Sequence, residues 1–184
     1  MVFFFLYVGA EVSFGGWIHT YAQKQGLAVG AQAEYMTAAF WGAYTVGRLL
    51  SIPVARRFRP RTVLLADLVG CILSVLVMLV WSGSSIISLA GIVGVGLSMA
   101  SIFPTALLIA ERRMVLTGFV TSLFFLGSST GAMLVPFLIG QFFERLGPPV
   151  TLGVILAALI LNLGVLMMLI NQFSIHGEEA FEKS

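Results

Sequence analysis

The sequence holds little charge. Of its 184 residues, 10% are Asp, Glu, Lys or Arg, and 59% are hydrophobic. Soluble domains carry about 25% charged residues. So few charges cannot solvate a globular surface, which excludes a soluble fold and points to an integral membrane protein. Cysteine is nearly absent. Cys71 stands alone in an apolar run, which excludes an intrachain disulfide framework and a cysteine-based metal site. The two histidines, His19 and His176, make no metal-binding spacing. HExxH, G-x-S-x-G, Walker A and EF-hand patterns are missing, so the chain is not read as an enzyme. Its basic stretches are short and lie between apolar runs. Membrane orientation accounts for them, and no nucleic-acid partner is implied.

What is present is apolar length, with a mean hydropathy of +1.02. Six runs stand out: Val2–Ala22, Tyr35–Ala55, Thr62–Ser82, Ile86–Ala110, Leu116–Phe142 and Val150–Ile170. Each approaches or exceeds the roughly 20 residues that a helix needs to cross a hydrocarbon core of about 30 Å. Backbone groups in lipid must be satisfied internally, which leaves helices or closed barrels. Barrel strands are about 10 residues long and alternate in polarity, unlike these runs. The expected fold is an all-α membrane protein of six transmembrane helices over residues 1–171, embedded in a lipid bilayer. Residues 172–184 form a short polar tail.

Cations give the expected direction. "RRFRPR", Arg56 to Arg61, lies between the second and third runs, and "ERR", Glu111 to Arg113, between the fourth and fifth. The remaining connections hold Lys24, no cation, and Arg145. Loops two and four are therefore expected in the cytoplasm, and both termini with them. The first run lacks the basic start of a signal peptide and contains Glu11 and Trp17, so it is read as a span. A chain whose first residue is already inside a helix is expected to be a fragment or a short isoform.

Glu11 interrupts this apolar background. Ten residues at 1.5 Å each place it about 15 Å into its helix, near the bilayer midplane. An ionised carboxylate there costs at least about 2.5–3.5 kcal/mol on insertion scales. It either ligates a solute or coupling cation, or holds a proton and makes an interhelical hydrogen bond. Phe4, Tyr7, Val8, Gly15 and Ile18 share its face at helical spacing.

Other polar residues have similar alternatives. Thr37, Trp41, Tyr44 and Arg48 form one stripe on the second run, suited to a sugar ring or to packing. Arg48 and Asp67 lie at matched depths on adjacent antiparallel helices, about 7–11 Å from the same edge, and are expected to pair. Asn162 either contacts solute or bonds to another helix. Pro104 frees the carbonyl of Ala100, and Ser98, Ser101 and Thr105 on that face either satisfy the freed backbone or line a polar path. "GSSTG", Gly127 to Gly131, is a small-x-x-x-small pattern for close helix packing, followed by Pro136, an expected kink. Ser122 and Ser129 could line a cavity. The first and fourth runs are both glycine-interrupted, and each opens a group of three that crosses in the opposite sense. That is the pattern of an inverted three-plus-three repeat with a site at its centre.

Several stretches together resemble the major facilitator superfamily of transporters. "GRLLSIPVARRFRPRTVL" (Gly47 to Leu65) resembles its glycine-arginine and basic-loop signature between the eighth and ninth helices. "GLSMASIFPTALLIAE" (Gly96 to Glu111) resembles the tenth helix, and "GSSTGAMLVPFLIGQF" (Gly127 to Phe142) the eleventh. "FLYVGAEVSFGGWIHTYA" (Phe5 to Ala22) resembles the seventh helix of the fucose-permease-like branch, which includes the sodium-dependent glucose transporter group. The resemblance implies the C-terminal six-helix half of a twelve-helix secondary transporter. The expected solute is a small polar one such as a hexose, coupled to sodium or a proton, and no cofactor is expected. The expected partner is an N-terminal half or a full-length copy, and the expected location is the plasma membrane. It implies that Glu11 and Trp17 face the central cavity near its gate; Trp41, Tyr44 and Asn162, from their own positions, are the further expected solute contacts. Arg48, Asp67, Arg56 and Arg57 are expected to form the cytoplasmic latch. Ser51 stands where the commonest signature has an acid.

Overall fold

A computed structural model describes residues 1–182 apart from Leu116, with the side chains of residues 172–182 left out. Its elements are α1 (Val2–Lys24), α2 (Ala31–Arg57), α3 (Pro60–Val80), α4 (Ser85–Met99), α5 (Ile102–Glu111), α6 (Gly118–Leu146) and α7 (Pro149–Glu182). No strand occurs among the described residues.

Local chemistry sets the helix ends. The Ser84 hydroxyl accepts from the Ile87 N–H and opens α4, and the Thr117 hydroxyl accepts from the Val120 N–H and opens α6. Pro60 and Pro149 take first-turn positions, where a missing N–H removes no helical bond. Gly147 closes α6 with φ of 77°, a conformation that side chains disfavour. The backbone of α7 continues to Glu182, through the expected tail. Lys183 and Ser184 lie outside the described residues.

Among the described residues, five segments are long and apolar enough to span a membrane: α1, α3, α4 with α5, α6, and α7 to Asn171. The remaining expected span, Tyr35–Ala55, lies within α2, which is long enough but less apolar than the other five. α2 has 27 residues, about 40 Å, so length does not disqualify it. Gln32, Glu34, Thr37, Arg48, Arg56 and Arg57 make it too polar to count as an apolar span. It nonetheless packs beside the others, burying Ala33, Met36, Phe40, Ala43, Tyr44 and Gly47. Tyr35, Trp41, Leu49, Leu50 and Ile52 remain exposed.

The packing follows the expected repeat. Exchange the first three segments with the last three, and the neighbour relations largely map onto themselves. α1 packs on α6 as α4 packs on α2; α3 packs on α4–α5 as α7 packs on α1; α3 and α7 meet each other. Both major seams close on glycine. A Cβ at Gly131 would overlap the Phe5 carbonyl, and one at Gly127 would meet Met1 at 3.0 Å. In the related seam, a Cβ at Gly47 would lie 2.8 Å from the Leu97 oxygen, and one at Gly96 2.7 Å from the Phe40 oxygen. Small residues let backbones approach where no hydrophobic force draws helices together. The "GSSTG" pattern thus has its partner in α1. α6 runs on as one helix through Pro136.

Gly131→Ala is expected to destabilise the bundle by about 1–3 kcal/mol, because the contact is backbone and cannot swing aside. Gly16→Ala, with nothing within 4 Å of the added carbon, is expected to be neutral or to stabilise by up to about 1 kcal/mol. Thermal unfolding of the two variants in detergent checks this: equal midpoints would contradict the seam.

Candidate transport cleft

The fourth segment is broken where Pro104 requires. α4 ends at Met99 and α5 begins at Ile102, leaving Ala100 and Ser101 between them. Pro104 is the third residue of α5, where its missing N–H costs no helical bond. The end of α4 still carries carbonyls without intrahelical donors. One is met from α1: the buried Tyr7 hydroxyl donates to the Met99 carbonyl at 2.7 Å. On the other side of the break, the Ser101 hydroxyl donates to the Asp67 carboxylate from α3. The break is therefore held from two helices.

One turn after Tyr7, on the same face of α1, stands Glu11. It is partly exposed in an open cleft lined by Val8, Arg48, Phe103, Phe125, Ser128, Ser129 and Ala132. α1, α2, α5 and α6 all contribute. Arg48 donates to the Tyr44 hydroxyl at 2.7 Å, and its guanidinium lies 4.9 Å from the centre of the Tyr44 ring. Since Tyr44 accepts from Arg48, its own O–H proton is left for another acceptor. The charge of Glu11 reaches both Tyr7 and Tyr44, as well as Arg48. A carboxylate, a guanidinium and hydroxyls thus share one cleft with the rings of Phe103 and Phe125, whose centres lie 6.4 Å apart. Such a surface can hydrogen-bond a polar solute and hold a small cation.

The expected residues divide. Glu11, Tyr44 and Arg48 come together. Trp41 is 44% exposed beside them, edge-on to Tyr44 with ring centres 5.7 Å apart. Trp17 lies elsewhere. Six residues on from Glu11 it has turned about 240° around the helix, and it packs on Phe143 at 5.0 Å and over Gly140. Asn162 is 0% exposed and not on the cleft, and neither its Nδ2 nor its Oδ1 finds a hydrogen-bond partner. The expected Arg48–Asp67 pair does not form: Arg48 bonds Tyr44, and Asp67 accepts from Ser101. Arg56 and Arg57 are exposed in the last turn of α2, where positive charge suits the helix dipole.

The alternatives at the hydroxyls also resolve. Ser101 binds Asp67, and with Thr105 lines a small pocket against Ser51 and Pro104. Ser98 packs over Gly70. Ser129 lines the cleft, whereas exposed Ser122 bonds back to the Gly118 carbonyl. Tyr7, Phe103 and Phe125 were not singled out as site residues. For Tyr7 the spacing of four from Glu11 was the available signal.

Asp67→Ala is expected to destabilise the chain by about 1–3 kcal/mol, by leaving the Ser101 hydroxyl without its acceptor. Asp67→Asn keeps an acceptor and is expected to lose less. Asn162→Leu, of similar volume, removes unpartnered polar atoms and is expected to be neutral or stabilising. Denaturant titration in mixed micelles orders the three. Asp67→Ala as stable as Asp67→Asn would contradict the bond's role.

The chain is 32% identical to human major facilitator superfamily domain-containing protein 4A over 144 residues, 78% of this chain and 28% of that protein. It is 34% identical to Xenopus laevis sodium-dependent glucose transporter 1 over 140 residues, 76% of this chain and 28% of that protein. Against mouse sodium-dependent glucose transporter 1A it is 30% identical over 139 residues, 76% of this chain and 33% of that protein. The chain thus spans about a third or less of the length of these curated relatives. No family profile matches it, and no solved structure does.

Proposed function

Because the chain belongs to the major facilitator superfamily and is an integral multi-pass membrane protein, we propose that it supplies the C-terminal six-helix half of a secondary transporter. The solute is a hexose or a similar small polyol, moved by alternating access with sodium or a proton. The cleft supports this reading most directly: it sets Glu11 and Arg48 among hydroxyls and aromatic rings, open on one side. Glu11 accepts from a solute hydroxyl or holds the coupling cation. Arg48 and Tyr44 bond to the solute's ring oxygens, and Trp41 and Phe125 cover its apolar face. Two of the named relatives are called sodium-dependent glucose transporters, which suggests the hexose and the sodium.

The open side of the cleft receives the N-terminal half. Arg56 and Arg57, with the rest of the basic loop, act as the cytoplasmic latch; both termini are cytoplasmic and the membrane is the plasma membrane. Asp67 serves the latch indirectly, by holding Ser101 at the break in the fourth segment. Trp17 acts through the α1–α6 seam rather than on the solute.

A second reading draws on the exposed large side chains along α2 and α6, including Leu49, Leu50, Phe125 and Met133. They suit a chain that pairs with a full-length copy and regulates it without transporting. Co-expression separates the two: lowered uptake together with co-purification favours the regulator.

Labelled-glucose uptake by a full-length transporter carrying this chain tests the first reading. Glu11→Gln is expected to lower uptake at least about tenfold, in line with the loss of a charge-assisted contact of 1.5–3 kcal/mol. Replacing sodium by choline is expected to abolish the difference if sodium is the coupling ion. Unchanged uptake in Glu11→Gln removes Glu11 from the mechanism.

A further inference from the structure

The Tyr7 hydroxyl has one proton and two acceptors within its reach. It is fully buried and donates to the Met99 carbonyl. Glu11 follows one turn later on the same helical face, in the open cleft. A phenol donates only once. An ionised carboxylate is the stronger acceptor, and more so away from water. Whether Tyr7 stays on Met99 therefore depends on what else satisfies Glu11.

Met99 is where the fourth segment breaks. Its carbonyl is at the end of α4, and α5 restarts after Ala100 and Ser101. On the far side, the Ser101–Asp67 bond holds the start of α5 to α3 independently. The Tyr7 hydrogen bond to Met99 ties the end of α4 to α1 at this level.

We propose that Tyr7 is the positioning residue through which occupancy of Glu11 sets the geometry of the break between α4 and α5. With Glu11 occupied by a cation, a proton or a solute hydroxyl, Tyr7 holds the Met99 carbonyl and the break is pinned to α1. With Glu11 bare, the phenol proton turns to the carboxylate and the end of α4 is released, while Asp67 keeps α5 in place. The pivot is then Ala100–Ser101. Tyr44 accepts from Arg48 and keeps its own O–H proton, so it can donate to the same carboxylate beside Tyr7, a carboxylate having lone pairs for both. The proposal rests on Glu11 being the cleft's ligand-binding acid, and adds how its state reaches a helix that does not carry it.

The test is a double-mutant cycle read by amide hydrogen exchange on the purified chain in detergent, at one pH and without added alkali cation. Glu11→Gln mimics an occupied carboxyl and is expected to slow exchange at residues 96–100, the end of α4, about three- to tenfold, the ratio that one net hydrogen bond supports. Tyr7→Phe, which removes one oxygen, is expected to speed exchange there by a similar factor. Adding Glu11→Gln to Tyr7→Phe is expected to change nothing further. An effect of Glu11→Gln that is equally large in both backgrounds overturns the proposal. If Tyr7→Phe does not fold, Glu11→Gln alone decides: exchange unchanged within twofold overturns it. Uptake is not read, so loss of the transport reading and loss of this coupling are separate results.

Discussion

A carbonyl in the middle of a membrane must find a donor, and for Met99 the donor is Tyr7. The rest of the centre depends on that requirement. Pro104 cannot continue α4, so the fourth segment has a break that its own backbone cannot close. Closing it from α1 draws the first and fourth segments together, and closing the other side from Asp67 draws in α3. Once α1 is fixed by Tyr7, the next turn presents Glu11 to the cleft beside Arg48. The polar site thus sits one helical turn from the bond that repairs the backbone.

The two-fold character of the bundle has a similarly local basis. Its two main seams are related by exchange of the halves, and both rest on glycines that admit a facing backbone. Close approach leaves little room for side chains in the seams, so the larger polar and aromatic groups of α2 and α6 collect at the cleft or turn outward. Relatives at 30–34% identity extend across some three quarters of the chain. The residues that make the membrane fold are spread along the chain, whereas the choice of solute depends on a few side chains in the cleft.

Much of the fold could be read from residue order because membranes impose length and apolarity. The span limits fell within a few residues, and Pro104 located the break. α2 was the exception. Its length was legible, yet its polarity made sense only once neighbours stood on either side. The site was harder. Counting residues at 1.5 Å each gives depth, not rotation about the helix axis. Arg48 and Asp67 share a level, which by itself suggests a pair, but Arg48 bonds Tyr44 four residues back on its own helix. Trp17 had rotated onto α6, and Asn162 had turned into packing. Glu11 was legible because an isolated acid in an apolar run needs a reason; Tyr7 was not, because a tyrosine among phenylalanines reads as packing.

The low apolarity of α2 also bears on how such a chain is made. A helix with Arg48 inside it partitions poorly into lipid alone. α1 precedes it and strongly apolar α3 follows after only two residues, Phe58 and Arg59. Synthesis therefore delivers α2 already flanked, and its entry into the bilayer is a collective event: the ribosome must finish α3 before α2 has a stable place to rest.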